Sequence, residues 1–202
     1  MDAAFQFTGY ICGILYENIV MVLIFTILVL FALAYLSEHG IKISIKQIWF
    51  KLKSNENQYR WKVLFLMYAF FLARITILGR EHFDNPLCKV FDKGWIITQN
   101  EFGEWDFDAV NNILLLLPYT FSMFRAFPKL FSSYKLIKIL AKAFIISLCT
   151  TLFIENCQLI FSIGTFQLAD ITYNTIGGII GGLLFYLFVK YSKKKPHNSI
   201  SL

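Results

Sequence analysis

Charged side chains are scarce in this sequence: they make up 16% of the 202 residues, whereas 57% are hydrophobic. An ordinary soluble domain carries about 25% charged residues, because polar groups must cover its water-facing surface. This chain has too few charges for such a surface, and its mean hydropathy is +0.58. The composition therefore excludes an ordinary soluble domain and indicates an integral membrane protein.

The motifs of soluble enzymes and of metal sites are also missing. The sequence contains no P-loop, HExxH, GxSxG or dinucleotide-binding fingerprint. Its four cysteines have no CxxC spacing and no nearby pair of histidines, so neither a metal site nor a disulfide-rich scaffold is predicted. We expect no cofactor. A net charge of +6 does not predict nucleic-acid binding here, because basic residues beside apolar spans usually set membrane topology.

Five apolar stretches reach or approach the roughly 20 residues that a membrane-spanning helix needs. They cover residues 19–36, 61–78, 109–127, 140–161 and 171–189. The apolar segment 5–16 is predicted to be a lead-in helix or an extension of the first span. Between the first two spans, apolar residues recur at helical spacing over 41–52 among lysines, which favours an interfacial helix over a basic loop.

The basic residues are distributed unevenly among the connections. Fifteen of the 19 lie in the tail or in the connections between spans one and two and between spans three and four, counted with the flanking residues, whereas the other connections are acidic or lack Lys and Arg. By the positive-inside rule, this pattern predicts an all-α polytopic bundle of about five transmembrane helices with the N-terminus outside and the C-terminus cytoplasmic. Residues 1–202 are expected to form one membrane domain, with a disordered basic tail at 192–202.

Several charged and amide side chains fall inside the predicted spans. Placing such groups in a membrane costs free energy, which marks them as candidate functional groups. At a rise of 1.5 Å per residue, Arg74 lies about 9 Å below Arg80 at the outer surface, and Glu155 lies about 9 Å below Phe161 at the outer end of its span. Two pairs on the last two spans are three and four residues apart and so share a helix face. We therefore predict a polar cluster in the outer leaflet that consists of Arg74, Asn112, Glu155, Gln158, Asp170 and Asn174.

This cluster has three interpretations: a hydrogen-bonded network that only fixes helix packing, a ligand site, or a catalytic site. An ion pair between Arg74 and Glu155 fits all three. Pro118 is expected to kink the third span, because proline removes a helical hydrogen bond. On the fifth span the small-residue pattern GGIIGG favours close packing within the chain, with self-association as the alternative. Its glycines are Gly177, Gly178, Gly181 and Gly182.

The order of these residues resembles the pattern of the VanZ-like family. Residues 112–118, NILLLLP, resemble its N-x5-P element. Residues 155–158, ENCQ, and 170–177, DITYNTIG, resemble its E-x2-Q and D-x3-N-x2-G elements. Arg74 occupies the place of an arginine that is common in that family. The resemblance runs from about residue 61 to the end of the fifth span.

The resemblance implies a multi-pass protein of the bacterial plasma membrane and cell envelope that confers or modulates resistance to teicoplanin-type lipoglycopeptide antibiotics. The polar cluster would then bind a lipoglycopeptide, a membrane lipid or a lipid-linked cell-wall precursor. Two alternatives are a membrane enzyme acting on a lipid or lipid-linked precursor, and a non-catalytic scaffold that assembles through GGIIGG. The chain departs from the family pattern at Ile163 and Gln167, where an arginine and an acidic residue are common.

Overall fold

The computed structural model describes residues 3–38, 40–53, 57–91, 107–131 and 135–192. The predicted all-α membrane bundle is confirmed, since these residues form helices and no strands. The helices are α1 (Ala3–Glu38), α2 (Ile41–Lys53), α3 (Asn57–Ala73), α4 (Asp108–Ala126), α5 (Leu136–Phe161) and α6 (Leu168–Ser192). A five-residue π-helix, Arg74–Leu78, continues α3, and a 3-10 turn, Pro128–Phe131, follows α4.

Four helical segments in the described residues are long and apolar enough to cross a membrane. They are Ala4–Ser37, Asn57–Leu78, Leu136–Phe161 and Leu168–Ser192. Together they contain four of the five predicted spans, and α1 includes the lead-in segment 5–16 without a break. The remaining predicted span, 109–127, is occupied by α4, whose polar residues near both ends keep it out of this apolar set. The orientation of the bundle stays a prediction, and the tail beyond residue 192 lies outside the described residues.

The packed centre of the bundle consists of α4, α5 and α6, and the glycines of α6 explain how closely these helices approach. A Cβ atom at Gly177 or Gly181 would clash with backbone atoms of α4. A Cβ atom at Gly178 or Gly182 would clash with side chains of α5. All four glycines are buried. The GGIIGG pattern therefore faces the chain's own helices on both sides.

Two clusters of buried apolar side chains hold the four helices α3, α4, α5 and α6 together. Their members are Phe124, Ile139, Ala143 and Phe185 in one cluster and Leu72, Leu116 and Ile154 in the other. In the first cluster, the rings of Phe124 and Phe185 meet edge to face with their centroids 5.3 Å apart, a favoured aromatic geometry.

Helix α4 runs through Pro118 without a break. Because proline has no N–H group, the carbonyl of Leu114 four residues earlier loses its helical donor. The Tyr68 hydroxyl on α3 donates to the carbonyl oxygens of Leu115 at 2.9 Å and Leu114 at 3.4 Å. A hydroxyl of the neighbouring helix thus lies beside the carbonyl that the proline leaves without a helical donor, and its bond to Leu115 joins α3 to α4.

Helices α1 and α2 lie at the edge of the bundle. The predicted helix over 41–52 is present as α2, while its position at a membrane interface stays a prediction. Helix α1 packs mainly against α2 and α3, and most of its large apolar side chains are exposed. In a bilayer these side chains would face lipid rather than water.

Candidate functional site

The polar residues of five segments meet at one end of the bundle, which we call the polar end. Because α3, α4, α5 and α6 alternate in direction, the π-helix after α3 and the last turns of α5 lie beside the first turns of α4 and α6. The N-terminal half of α1 joins them. Arg74, Asn112 and Asp170, each on a different segment, are close enough to line the same cavity.

This cavity has a volume of about 430 Å³. Two guanidinium groups and three carboxylates line it, so it presents charges of both signs. They belong to Arg74, Arg80, Glu17, Asp108 and Asp170. Ligand pockets are predominantly hydrophobic, whereas most of the residues that line this cavity are polar or charged. The cavity is therefore suited to a strongly polar or charged group rather than to a hydrocarbon.

One carboxylate in the cavity is held by a hydrogen bond between two helices. The Asn112 side-chain amide donates to Oδ1 of Asp170 over 2.6 Å. Asp170 lies in the first turn of α6, where the free N–H groups and the helix dipole favour a negative charge. The bond therefore fixes the Asp170 carboxylate at the junction of α4 and α6.

Arg74 begins the π-helix and faces the cavity. Its guanidinium lies against Gly79, where a Cβ atom would clash with it. It forms no ion pair with any residue that the structure describes. The ion pair with Glu155 that the sequence allows is therefore not formed. Arg74 thus lines the cavity without an ion-pair partner among the described residues.

Glu155 is 1% exposed and lies behind the cavity rather than in its lining. Its Oε2 atom accepts a hydrogen bond of 3.1 Å from the backbone N–H of Gln167, in the connection before α6. This contact explains the absence of the ion pair, because the Glu155 carboxylate points toward the α5–α6 connection. Glu155 thus positions that connection, which contributes Gln167 to the cavity lining.

Gln158, one turn later on α5, has a similar role toward the π-helix. It is 2% exposed, and its Nε2 atom donates to the backbone carbonyl of Thr76 at 2.8 Å. In the π-helix the Gly79 N–H bonds to the Arg74 carbonyl five residues back, at 2.7 Å. Such π-helical turns occur frequently at functional sites. Gln158 therefore anchors the backbone that carries Arg74.

Asn174 lies deeper in the bundle than the other predicted residues. Its Nδ2 atom donates to the Thr151 hydroxyl at 3.1 Å, and its side chain is 2% exposed. Its Oδ1 atom has no hydrogen-bond partner in the described part of the chain. Asn174 does not line the cavity. It joins α5 to α6 below the layer that contains Asp170.

A short segment of the connection after the π-helix covers part of the polar end. The Phe83 N–H donates to the Ser162 carbonyl at 2.7 Å, and the Phe166 N–H donates to the Pro86 carbonyl at 2.8 Å. The covered α5–α6 connection turns at Gly164, whose φ of 131° would strain any residue with a side chain. These bonds fix the rim of the site by backbone contacts alone.

The cavity lining includes residues that the predicted cluster did not contain. Asn111 has an Oδ1 atom that is buried without a hydrogen-bond partner among the described residues. Glu17 and Asn18 come from α1, where they interrupt an otherwise apolar run. That interruption is the sequence signal for both residues. Arg80 and Asp108 lie just beyond the predicted spans, so a search for polar residues inside spans does not find them.

The chemistry of the site is that of guanidinium, carboxylate and amide groups. Among the described residues, no group of three or more His, Cys, Asp or Glu side chains could hold a metal ion. The part of the cavity lining that the structure describes also contains no His, Cys or Ser side chain. Such a site can bind charged groups of either sign and can donate or accept several hydrogen bonds.

Comparison with known proteins agrees with the motif pattern. No curated protein and no solved structure matches the chain significantly. The VanZ/LLP1 family model matches residues 3–189, which include α1, α2 and every residue of the site described above. This match is longer than the resemblance carried by the motifs, which begins near residue 61. The chain therefore belongs to the VanZ/LLP1 family.

Proposed function

We propose that this membrane protein confers or modulates resistance to teicoplanin-type lipoglycopeptide antibiotics by binding a lipoglycopeptide or a lipid-linked ligand at its polar end. The observation that carries the proposal is the cavity of about 430 Å³, lined by charges of both signs, at one end of a bundle of apolar helices. Charged groups inside apolar helix bundles are costly and commonly mark ligand or ion sites.

The charges of the cavity suit a ligand that carries both signs itself. Arg74 offers guanidinium donors to a carboxylate or a phosphate, and such charge-assisted hydrogen bonds are among the strongest in proteins. Asp170, fixed by Asn112, offers a carboxylate to an ammonium group. Glu155 has no such role in the proposal, because it lies outside the lining and bonds to the backbone of Gln167.

The location of the ligand follows from the predicted topology. With the N-terminus outside and the C-terminus cytoplasmic, the polar end faces the outer side of the bacterial plasma membrane. Lipoglycopeptides and lipid-linked cell-wall precursors are both encountered at that face. The basic end, which carries Arg125 and Lys190, then faces the cytoplasm.

The two alternative functions have less support. A membrane enzyme acting on a lipid would need a general base such as Asp170 and a clamp such as Arg74. However, the described residues that line the cavity include no Ser or Cys nucleophile and no histidine. A scaffold assembling through GGIIGG would need exposed glycines, whereas all four are buried against α4 and α5.

The test compares the teicoplanin susceptibility of cells that express variants at equal protein levels. We expect Asp170→Asn and Arg74→Ala to increase susceptibility, because each removes one charge from the cavity. The matched controls are Asp84→Asn and Arg60→Ala, which change exposed residues outside the cavity lining. Unchanged susceptibility in both cavity variants would refute the proposed site.

A second measurement separates binding from the other candidate functions. Purified protein in lipid nanodiscs is titrated with teicoplanin, and the lipids of the nanodisc are analysed by mass spectrometry before and after incubation. Saturable binding that is weakened by Asp170→Asn supports the proposal. A chemically altered lipid, produced by the wild type and not by Asp170→Asn, would instead identify an enzyme.

A further inference from the structure

An apolar crevice of about 200 Å³ adjoins the polar cavity between α1, α3 and α4. Four residues line both spaces, so the crevice and the cavity meet along a common boundary: Ile14, Ile75, Asn111 and Leu115. The rest of the crevice is lined by large apolar or aromatic side chains of the three helices: Ile11, Leu15, Tyr68, Phe71 and Leu114. A strongly polar space thus continues into an apolar one.

We propose that the crevice holds a hydrocarbon chain of a membrane amphiphile whose zwitterionic head occupies the polar cavity. The inference rests on the proposed function, because the head would occupy the same cavity, and it specifies the class of ligand. The cavity favours a zwitterionic head since its lining combines two guanidinium groups with three carboxylates. The crevice favours a hydrocarbon chain since apolar side chains dominate its lining.

Asn111 lies at the boundary where the head of such a ligand would join its chain. Its Oδ1 atom is buried and has no hydrogen-bond partner among the described residues. Buried acceptors of this kind are rare in native proteins, because the lost hydrogen bond is not replaced by water. The rest of the Asn111 side chain lines both spaces, so a hydroxyl or amide between the head and the chain of an amphiphile would meet this amide group.

The chain of the ligand has a direct route into the crevice. Ile11, Ile14 and Leu15 of α1 form one wall, and α1 packs mainly against α2 and α3 rather than in the centre of the bundle. Leu15 is 47% exposed and Leu114 is 39% exposed. Because this side of the bundle faces lipid, a chain can enter from the bilayer without crossing water.

The protein contains a matched internal control for this site. A groove between α1 and α2 has the same volume, about 200 Å³, and it is lined by apolar side chains that include Phe31, Ile45 and Trp49. It shares no residue with the polar cavity. Lipid chains that fill any apolar depression would enter both spaces, whereas a chain directed by its head would favour the crevice.

The experiment uses the full chain in phosphatidylglycerol nanodiscs with a trace of photoreactive lipid. One arm contains phosphatidylethanolamine and the other phosphatidylglycerol, each with a diazirine in one acyl chain. After irradiation, adducts are mapped by mass spectrometry to the crevice and to the control groove. We expect the ratio of crevice to groove adducts to be about tenfold higher for phosphatidylethanolamine, as one additional charge-assisted hydrogen bond would give.

Equal labelling of crevice and groove by both probes would overturn the inference, and a preference for phosphatidylglycerol would overturn the zwitterionic assignment. Leu114→Trp, which fills the crevice, should abolish crevice adducts. Leu33→Trp, an exposed position on α1 outside both spaces, should retain them. A folded Leu114→Trp protein that is still labelled in the crevice would also contradict the inference.

The outcome can be separated from that of the proposed function. If crevice labelling does not exceed groove labelling while Asp170→Asn and Arg74→Ala increase teicoplanin susceptibility, the inference fails and the proposed function stands. If the crevice is labelled as expected while susceptibility is unchanged in both cavity variants, the lipid site stands and the link to resistance fails.

Discussion

Replacing Tyr68 by phenylalanine removes one hydroxyl and keeps the aromatic ring that lines the crevice. In the wild type this hydroxyl donates to the carbonyls of Leu115 and Leu114. Leu115 retains the helical donor four residues later, but Leu114 has none because Pro118 lacks an N–H group. The substitution therefore leaves one backbone acceptor unsatisfied, in a bundle where a bilayer supplies no replacement water.

The expected magnitude follows from that single acceptor. An unsatisfied buried group costs about 1–3 kcal/mol in soluble proteins. Interhelical hydrogen bonds measured within a membrane bundle average about 0.6 kcal/mol and reach about 1.7 kcal/mol. We expect Tyr68→Phe to lower the free energy of unfolding by about 1 kcal/mol, which lies within both ranges. The 3.4 Å distance to Leu114 places the effect nearer the smaller values.

A double-mutant cycle tests the reasoning more sharply than the single variant does. Pro118→Ala restores an N–H group that can bond to the Leu114 carbonyl. In a protein that already carries Pro118→Ala, Tyr68→Phe should therefore lower the free energy of unfolding by much less. The assay is unfolding of purified protein in mixed micelles, titrated with a denaturing detergent and followed by circular dichroism. If Tyr68→Phe lowers the free energy of unfolding equally with proline and with alanine at position 118, the hydroxyl does not compensate for the proline.

Two further variants test the contacts that build the site. Gly178→Ala should lower the free energy of unfolding by about 1–3 kcal/mol, because the added methyl group would overpack against α5. Its control is Gly13→Ala, where the added methyl group meets no atom within 4 Å, so the change should be neutral or stabilising. Unfolding of both variants in a denaturing detergent distinguishes them. Gln158→Leu should speed amide hydrogen exchange in the π-helix by releasing the Thr76 carbonyl. Asn156→Leu, whose side chain bonds only within α5, should not change that exchange, and equal rates in both would show that Gln158 does not anchor the π-helix.

The convergence of polar residues at one end could be predicted because it depends on distance along each helix. Apolar runs locate the helices, and a fixed rise per residue then gives the depth of Arg74, Asn112 and Asp170. Helices that alternate in direction bring equal depths together. Depth alone, however, does not give the direction in which a side chain points around the helix axis. The π-helix that begins at Arg74 changes this direction locally, and no residue pattern in the sequence identifies it.

The contribution of α1 was harder to predict for a different reason. An interval of 18 apolar residues, 19–36, is already sufficient for a span, so the sequence leaves open whether the segment before Glu17 and Asn18 is a separate lead-in helix or an extension of the first span. The structure has the extension: α1 is one helix of 36 residues, about 54 Å long, whereas the hydrocarbon core of a bilayer is about 30 Å thick. The excess length places Glu17 beside the π-helix and the start of α4, where it lines the cavity.

The two carboxylates that share the predicted cluster have different environments, and this difference assigns their roles. Asp170 lines the cavity and is held by a side chain, Asn112, so its second oxygen is not required by the bundle. Glu155 is buried and bonds to the backbone N–H of Gln167, a contact that depends on the position of the chain and not on the side chain at residue 167. A glutamine in place of the acidic residue common in the family therefore leaves this contact intact. The charge that faces the cavity comes from α6, while the charge on α5 positions the wall behind it.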